Sequence, residues 1–147
     1  MKIDTINLQI LEELQCNARV PLTEISKKVG LSSPTVSERI QKMEEAGIIN
    51  GYNTDINMES LGYSLGVYIS IKIRFGQVKN FEEYIKDVPE ISECHKLTGN
   101  DCMLMKGVVR NPKHLEELNE KLTVYGELTT SLILSSTIKS RVYTKAF

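Results

Sequence analysis

Residues 31–52, LSSPTVSERIQKMEEAGIINGY, constrain this chain more than any other stretch. A serine at its head can accept hydrogen bonds from the unpaired amides of a helix start, and Pro34 suits a first helical turn. Val36, Ile40 and Met43 then recur at helical spacing and define one stripe to be buried. Gly47 stops the helix, and the two isoleucines after it begin an extended segment. The pattern reads as the second helix of a helix-turn-helix, followed by a short wing strand.

What precedes it fits. Asp4 is placed to cap a helix in which Ile6, Ile10 and Leu14 share a face with Leu11 beside them, fading at Cys16, Asn17 and Ala18. Arg19, Val20 and Pro21 form an extended link, because proline disfavours helix in the residue before it. Thr23 then caps a short helix with Ile25 and Val29 inward and Gly30 at its end. Three short helices with a glycine-containing turn between the second and third make a compact tri-helical unit. The turn, G-L-S-S-P-T, is short enough to hold those two helices at a steep angle, so the third stands proud as groove insertion requires.

On a wheel of about 100° per residue, with Val36, Ile40, Met43 and Gly47 inward, Thr35, Ser37, Glu38, Arg39 and Lys42 fall on or beside the outer face. Arg39 suits a bidentate grip on guanine or phosphate, and Lys42 a point-charge contact. Ser33 and Thr35 sit where hydroxyls and free amides can meet a phosphate, and Lys27 and Lys28 offer further phosphate contacts. Glu38 reads two ways, as an acceptor for a cytosine amino group or as a surface charge paired with Arg39 or Lys42.

Bulk charge does not announce a nucleic-acid binder. Residues 1–60 carry Lys2, Arg19, Lys27, Lys28, Arg39 and Lys42 against Asp4, Glu12, Glu13, Glu24, Glu38, Glu44, Glu45, Asp55 and Glu59. Phosphate contact needs locally placed cations rather than a positive total, so the balance weakens the reading without excluding it. Apolar runs are short and interrupted, which leaves no membrane span. The N-terminal residues lack the apolar core of a signal peptide, and a cytoplasmic location is expected. Cys16, Cys94 and Cys102 show no CxxC or Cys/His ligand spacing, so no metal site is expected and burial is their ordinary use.

The second half changes period. Leu65, Val67, Ile69, Ile71 and Ile73 alternate, a strand signal. Asn80 and Glu83 then head a helix with Phe81, Ile85 and Val88 inward, stopped by Pro89. Residues 91–98 and 102–109 make a hairpin about a tight turn at Gly99 and Asn100. Asn111 and Pro112 open a helix with Leu115, Leu118 and Leu122 inward, and His114 in its first turn is expected in solvent. A last strand spans 128–139. The fold class is therefore α+β: a winged helix-turn-helix over residues 1–57, a hinge over 58–63, and a β-α-β-β-α-β, ferredoxin-like domain over 64–147. The sheet face away from the helices still carries aliphatics, and a second copy of the same sheet is its expected partner.

The stretch IDTINLQILEELQCNARVPLTEISKKVGLSSPTVSERIQKMEEAGIINGY in the first half, with LTGNDCMLMKGVV in the second, resembles the Lrp/AsnC (feast/famine) transcription regulators over essentially the whole chain. The resemblance implies dimers assembling further, commonly to octamers that wrap double-stranded DNA. It also implies an amino acid or related small molecule as effector near the hairpin glycine, with no cofactor. On that reading Thr98, Gly99, Asn100 and Asp101, with Ser135, Ser136 and Thr137 of the last strand, are the effector-binding residues. Two departures stand out. Asn7 occupies a position where the family often has Asp, and reads as a helix-surface detail. Cys102 also stands where the family often has Asp, the carboxylate falling one residue earlier at Asp101, so this member either uses Asp101 or has a different effector or none.

Other classes fit less well. An enzyme is not expected, because His95 and His114 stand apart from any nucleophile and there is no GxGxxG, P-loop or HExxH motif. An RNA-binding sheet would need aromatics on its central strands, where aliphatics and sulfur predominate. An effector-independent, architectural DNA-wrapping protein of the same fold remains open beside the effector-responsive regulator.

Overall fold

A computed structural model describes residues 2–99 and 103–143. They form two compact units, one of residues 2–55 with 138–143 and one of residues Ile56–Thr137.

In the first unit α1 spans Thr5–Cys16, α2 Leu22–Val29 and α3 Ser33–Glu45. The Asp4 carboxylate caps α1, accepting from the Asn7 amide at 2.7 Å. Pro21 rather than Thr23 precedes α2, and no side chain caps it. Gly30 ends α2 at φ 69°, a left-handed conformation that lets the Leu31 amide turn back to the Ser26 carbonyl at 3.1 Å. Ser32 caps α3 by accepting from the Thr35 amide, with Pro34 in the first turn. Ile10, Ile25, Val36 and Met43 are fully buried at the centre, ringed by Ile6, Leu11, Leu14, Val29, Leu31, Ile40, Ile48 and Ile49.

In the second unit β1 spans Leu65–Ile73, α4 Val78–Ile85, β2 Ile91–Lys96, β3 Met103–Val109, α5 Pro112–Thr123 and β4 Gly126–Leu132. The strands form one antiparallel sheet in the order β2-β3-β1-β4, the ferredoxin-like arrangement expected. Val67, Ile69, Ile71 and Ile73 of β1, with Met103, Met105 and Val109 of β3, meet Phe81 of α4 and Leu118 and Leu122 of α5 in a single core. Period-2 alternation puts the strand members of this core on one face of the sheet. The opposite face is mixed. Registers place Tyr68, Ser70 and Lys72, Leu104, Lys106 and Val108, Glu93 and His95, and Thr129 and Ser131 there, and Lys106 and His95 both pair with Glu93.

Several expectations need correction. No paired strand occurs between residues 46 and 57 among the described residues; Ile48 and Ile49 instead pack on the helices. The hinge contains a short 3-10 turn at Glu59–Leu61. Helix α4 begins at Val78, two residues before Asn80, with Gln77 ahead of it and no side-chain cap. The last strand is Gly126–Leu132 rather than 128–139, since β1, its partner, runs out at Leu65. Residues 138–143 consequently leave the second unit and belong to the first. Cys16 and Cys94 are exposed, not buried, and Cys102 lies outside the described residues.

Candidate nucleic-acid interface and effector region

Helix α3 owes its orientation to its inner stripe. Val36 and Met43 are wholly buried, which turns Ser37, Glu38, Gln41, Lys42 and Glu45 to solvent. Glu38 and Lys42 pair across one helical turn at 2.6 Å, and the lysine holds the Glu38 carboxyl below its ordinary value. Gln41 donates to Glu45 at 2.8 Å, while Ser37 meets no polar partner among the described residues. An exposed pair of this kind is worth little net, so Lys42 can exchange its carboxylate for a phosphate at low cost.

The other residues predicted to face DNA are placed differently. Ser33 turns inward, its hydroxyl 3.2 Å from that of Ser26 in α2. Thr35 is half-buried, its hydroxyl 2.8 Å from Ser32 Oγ. Lys28 reaches back to Glu13 of α1 at 2.5 Å, which raises its pKa, whereas Lys27 is exposed and without a polar partner among the described residues. Arg39 is drawn off the outer face altogether: its Nη1 donates to Asp4 Oδ2 and to Asn7 Oδ1, each at 2.8 Å. Asn7, read as a surface detail, is only 2% exposed. The signal was present in the spacing, since Ile3, Asn7, Ile10 and Leu14 share one helical stripe and a polar residue there needs a partner.

The segment after α3 is tied down by Tyr52, whose hydroxyl donates to Glu44 at 2.7 Å. Burial and that carboxylate push its phenol up to about 12. Gln15, near the end of α1, holds the main chain of Tyr143 at both its amide and its carbonyl, each at 3.0 Å.

In the second unit Thr98 and Gly99 are exposed just past β2. Asn100 and Asp101 lie outside the described residues. Ser135, Ser136 and Thr137 are exposed and follow β4 rather than belonging to it. Because β2 and β4 are opposite edges of the sheet, and Lys96 pairs beside Met103 while Leu132 pairs beside Val67, these two groups leave from diagonally opposite corners. One chain therefore does not bring them together at the strand ends. His114 is half-buried rather than free in solvent: it accepts from the Arg110 amide at Nδ1 (3.2 Å), which leaves Nε2 to donate to Glu90 at 2.8 Å. Burial opposes ionisation of Glu90, but the His114 bond, a main-chain hydrogen bond and nearby positive charge together outweigh it and hold the carboxyl low.

Residues 3–50 match the family profile described as winged helix-turn-helix DNA-binding, and residues 66–143 match the Lrp/AsnC ligand binding domain. The chain is 30% identical to the HTH-type transcriptional regulator LrpC of Bacillus subtilis, over 92% of this chain and 94% of that one. It is 37% identical to the HTH-type transcriptional regulator FL11 of Pyrococcus furiosus, over 86% and 82%. The solved structure of LrpC superposes with a TM-score of 0.90 at 28% identity, covering 95% of this chain and all of the other. A complex of the Neisseria meningitidis regulator NMB0573 with L-Met gives 0.89 at 25% identity, covering 97% and 96%.

Proposed function

This chain belongs to the Lrp/AsnC family of transcription regulators, and from that we propose that it binds a partly symmetric DNA site through paired copies of α3 and adjusts that binding to an amino acid. The observation that carries the reading is the division of α3 into a buried stripe and an exposed face bearing Ser37, Glu38 and Lys42. Ser37 and Glu38 meet base edges and Lys42 a phosphate, with Thr35 at the helix start. Lys27 and Lys28 contact phosphate, Lys28 after leaving Glu13. Two copies read half-sites spaced by about a helical turn or a multiple of it.

The acidic balance of residues 1–60 makes one copy a weak binder, so affinity comes from several copies sharing one assembly. The open sheet face, with Tyr68, Leu104 and Val108 around the Glu93–Lys106 pair, is the surface through which two copies join. Thr98 to Asp101 of one copy and Ser135 to Thr137 of another line the effector site, which joins ligand binding to assembly. Such coupling needs only a different affinity for two assembly states. The methionine complex of the Neisseria relative supports an amino acid as the class of effector.

Selection of bound sequences from a random duplex pool, repeated with each of the twenty amino acids, tests the reading. One enriched, two-fold related motif, and one amino acid that both raises the melting temperature and shifts DNA affinity, are the expected results. An enriched motif that no amino acid influences favours the architectural alternative. A pool that stays unenriched removes sequence-specific binding, and a monomer by light scattering removes the paired sheets.

A further inference from the structure

Arg39 stands beside the exposed face of α3, yet one terminal nitrogen of its head is committed elsewhere. Nη1 carries two hydrogens, and both are spent, one on Asp4 Oδ2 and one on Asn7 Oδ1. The side chain is 28% exposed and Asn7 is 2% exposed, so the neutral half of this contact is shielded from water. The other oxygen of Asp4 accepts the Asn7 amide that opens α1. One carboxylate therefore starts the first helix and anchors the third. To reach a base with its two terminal nitrogens, Arg39 would have to abandon a buried carbonyl oxygen, and a buried acceptor without a partner is costly.

We infer that Arg39 is a positioning residue for DNA binding: its bracket to Asp4 and Asn7 sets the angle at which α3 is presented, and base choice lies with the exposed side chains of that helix. This rests on the DNA-binding role proposed above. Asn7 fits the part, because its side-chain oxygen supplies the guanidinium with a buried acceptor on the inner stripe.

The test uses the full chain and the best duplex selected from a random pool, with every single-base variant of that duplex. Arg39→Ala should weaken binding by a factor on the order of ten, and Asn7→Ala, which spares the Asp4 bond, measurably but by no more than that. Both should leave the ranking of the base variants and the salt dependence of affinity unchanged. The double variant should lose no more than Arg39→Ala alone, which already removes both bonds of the bracket. Asn7→Asp, which keeps the acceptor, should bind like the parent.

Loss of discrimination at one base pair in Arg39→Ala would instead make Arg39 a reader and overturn the inference. So would a salt slope lower by about one, parental affinity in Asn7→Ala, or additive losses in the double variant. Should Arg39→Ala fail to fold by circular dichroism, Asn7→Ala and its rescue by Asn7→Asp decide the matter alone. Failure of the parent to select any duplex would fall on the DNA-binding role itself, and is distinguishable because no variant is then needed.

Discussion

Asp4 shows how much one residue can hold when its two oxygens have separate tasks. Hydrogen bonding to the Asn7 amide, then to Arg39, holds its carboxyl below the ordinary value of 3.8. A lowered folded-state pKa means the contribution is complete above the unfolded value and is lost as the pH falls through the folded one. The first unit should thus lose stability on acidification below about pH 4, and Asp4→Asn, which keeps a capping acceptor, should flatten the Asp4 part of that loss. Asp4→Ala should be less stable than Asp4→Asn at pH 7, because it removes cap and bracket together. Urea titrations followed at α1 would show an Asp4→Ala midpoint equal to that of Asp4→Asn if the cap were idle. Position 4 was legible as a cap because capping is local. Its second task was not, since Arg39 lies 35 residues away.

At the scale of elements, α3 and β4 carry the sharpest consequences. Lys42 is the cation on the outward face of α3 and its carboxylate partner is exposed, so Lys42→Ala should lower the slope of log affinity against log salt by about one while leaving base preference intact. An unchanged slope would take Lys42 off the phosphate. Strand β4 starts at Gly126 because nothing larger fits: a Cβ there would stand 2.2 Å from the Lys72 carbonyl oxygen. Gly126→Ala must push β4 from β1, and we expect a loss of about 1–3 kcal/mol in the stability of the second unit, measured by denaturant unfolding. Wild-type stability would mean that β4 yields freely at that end. Helices and strands were readable from period and punctuation alone, whereas the wing strand was not, because a strand needs a partner that the sequence does not name.

For the whole molecule, the notable departure is that the first unit is discontinuous. Residues 138–143 return to it, and the Gln15 carboxamide grips the Tyr143 main chain in the manner of a strand neighbour. The same nitrogen of Gln15 also donates to the Leu11 carbonyl at 3.1 Å, which orients the amide: reversed, it would set oxygen against two carbonyls. A chain ending at Thr137 should therefore exchange amide hydrogens faster in the last turn of α1, and Gln15→Ala should reproduce part of that effect. Unaltered protection in both would mean the returning segment adds nothing to the unit. Lys139 and Arg141 come with this segment, offsetting part of the acidic excess counted for residues 1–60 alone.

The opening stretch, residues 31–52, shows where the boundary lies. By itself the sequence determined that α3 would start at its serine and proline, bury Val36, Ile40 and Met43, and end before Gly47, since these follow from neighbours within a turn or two. It likewise determined the order of strands and helices in the second half and the faces that β1 and the two helices would bury. Only the tertiary structure decided which polar groups on α3 stay free. Ser33 went to Ser26 and Arg39 to Asp4 and Asn7, leaving Ser37, Glu38 and Lys42 facing solvent. The physical reason is reach. A helical wheel assigns a direction to a Cβ, but an arginine side chain extends several ångströms beyond it and goes where its hydrogen bonds are best satisfied.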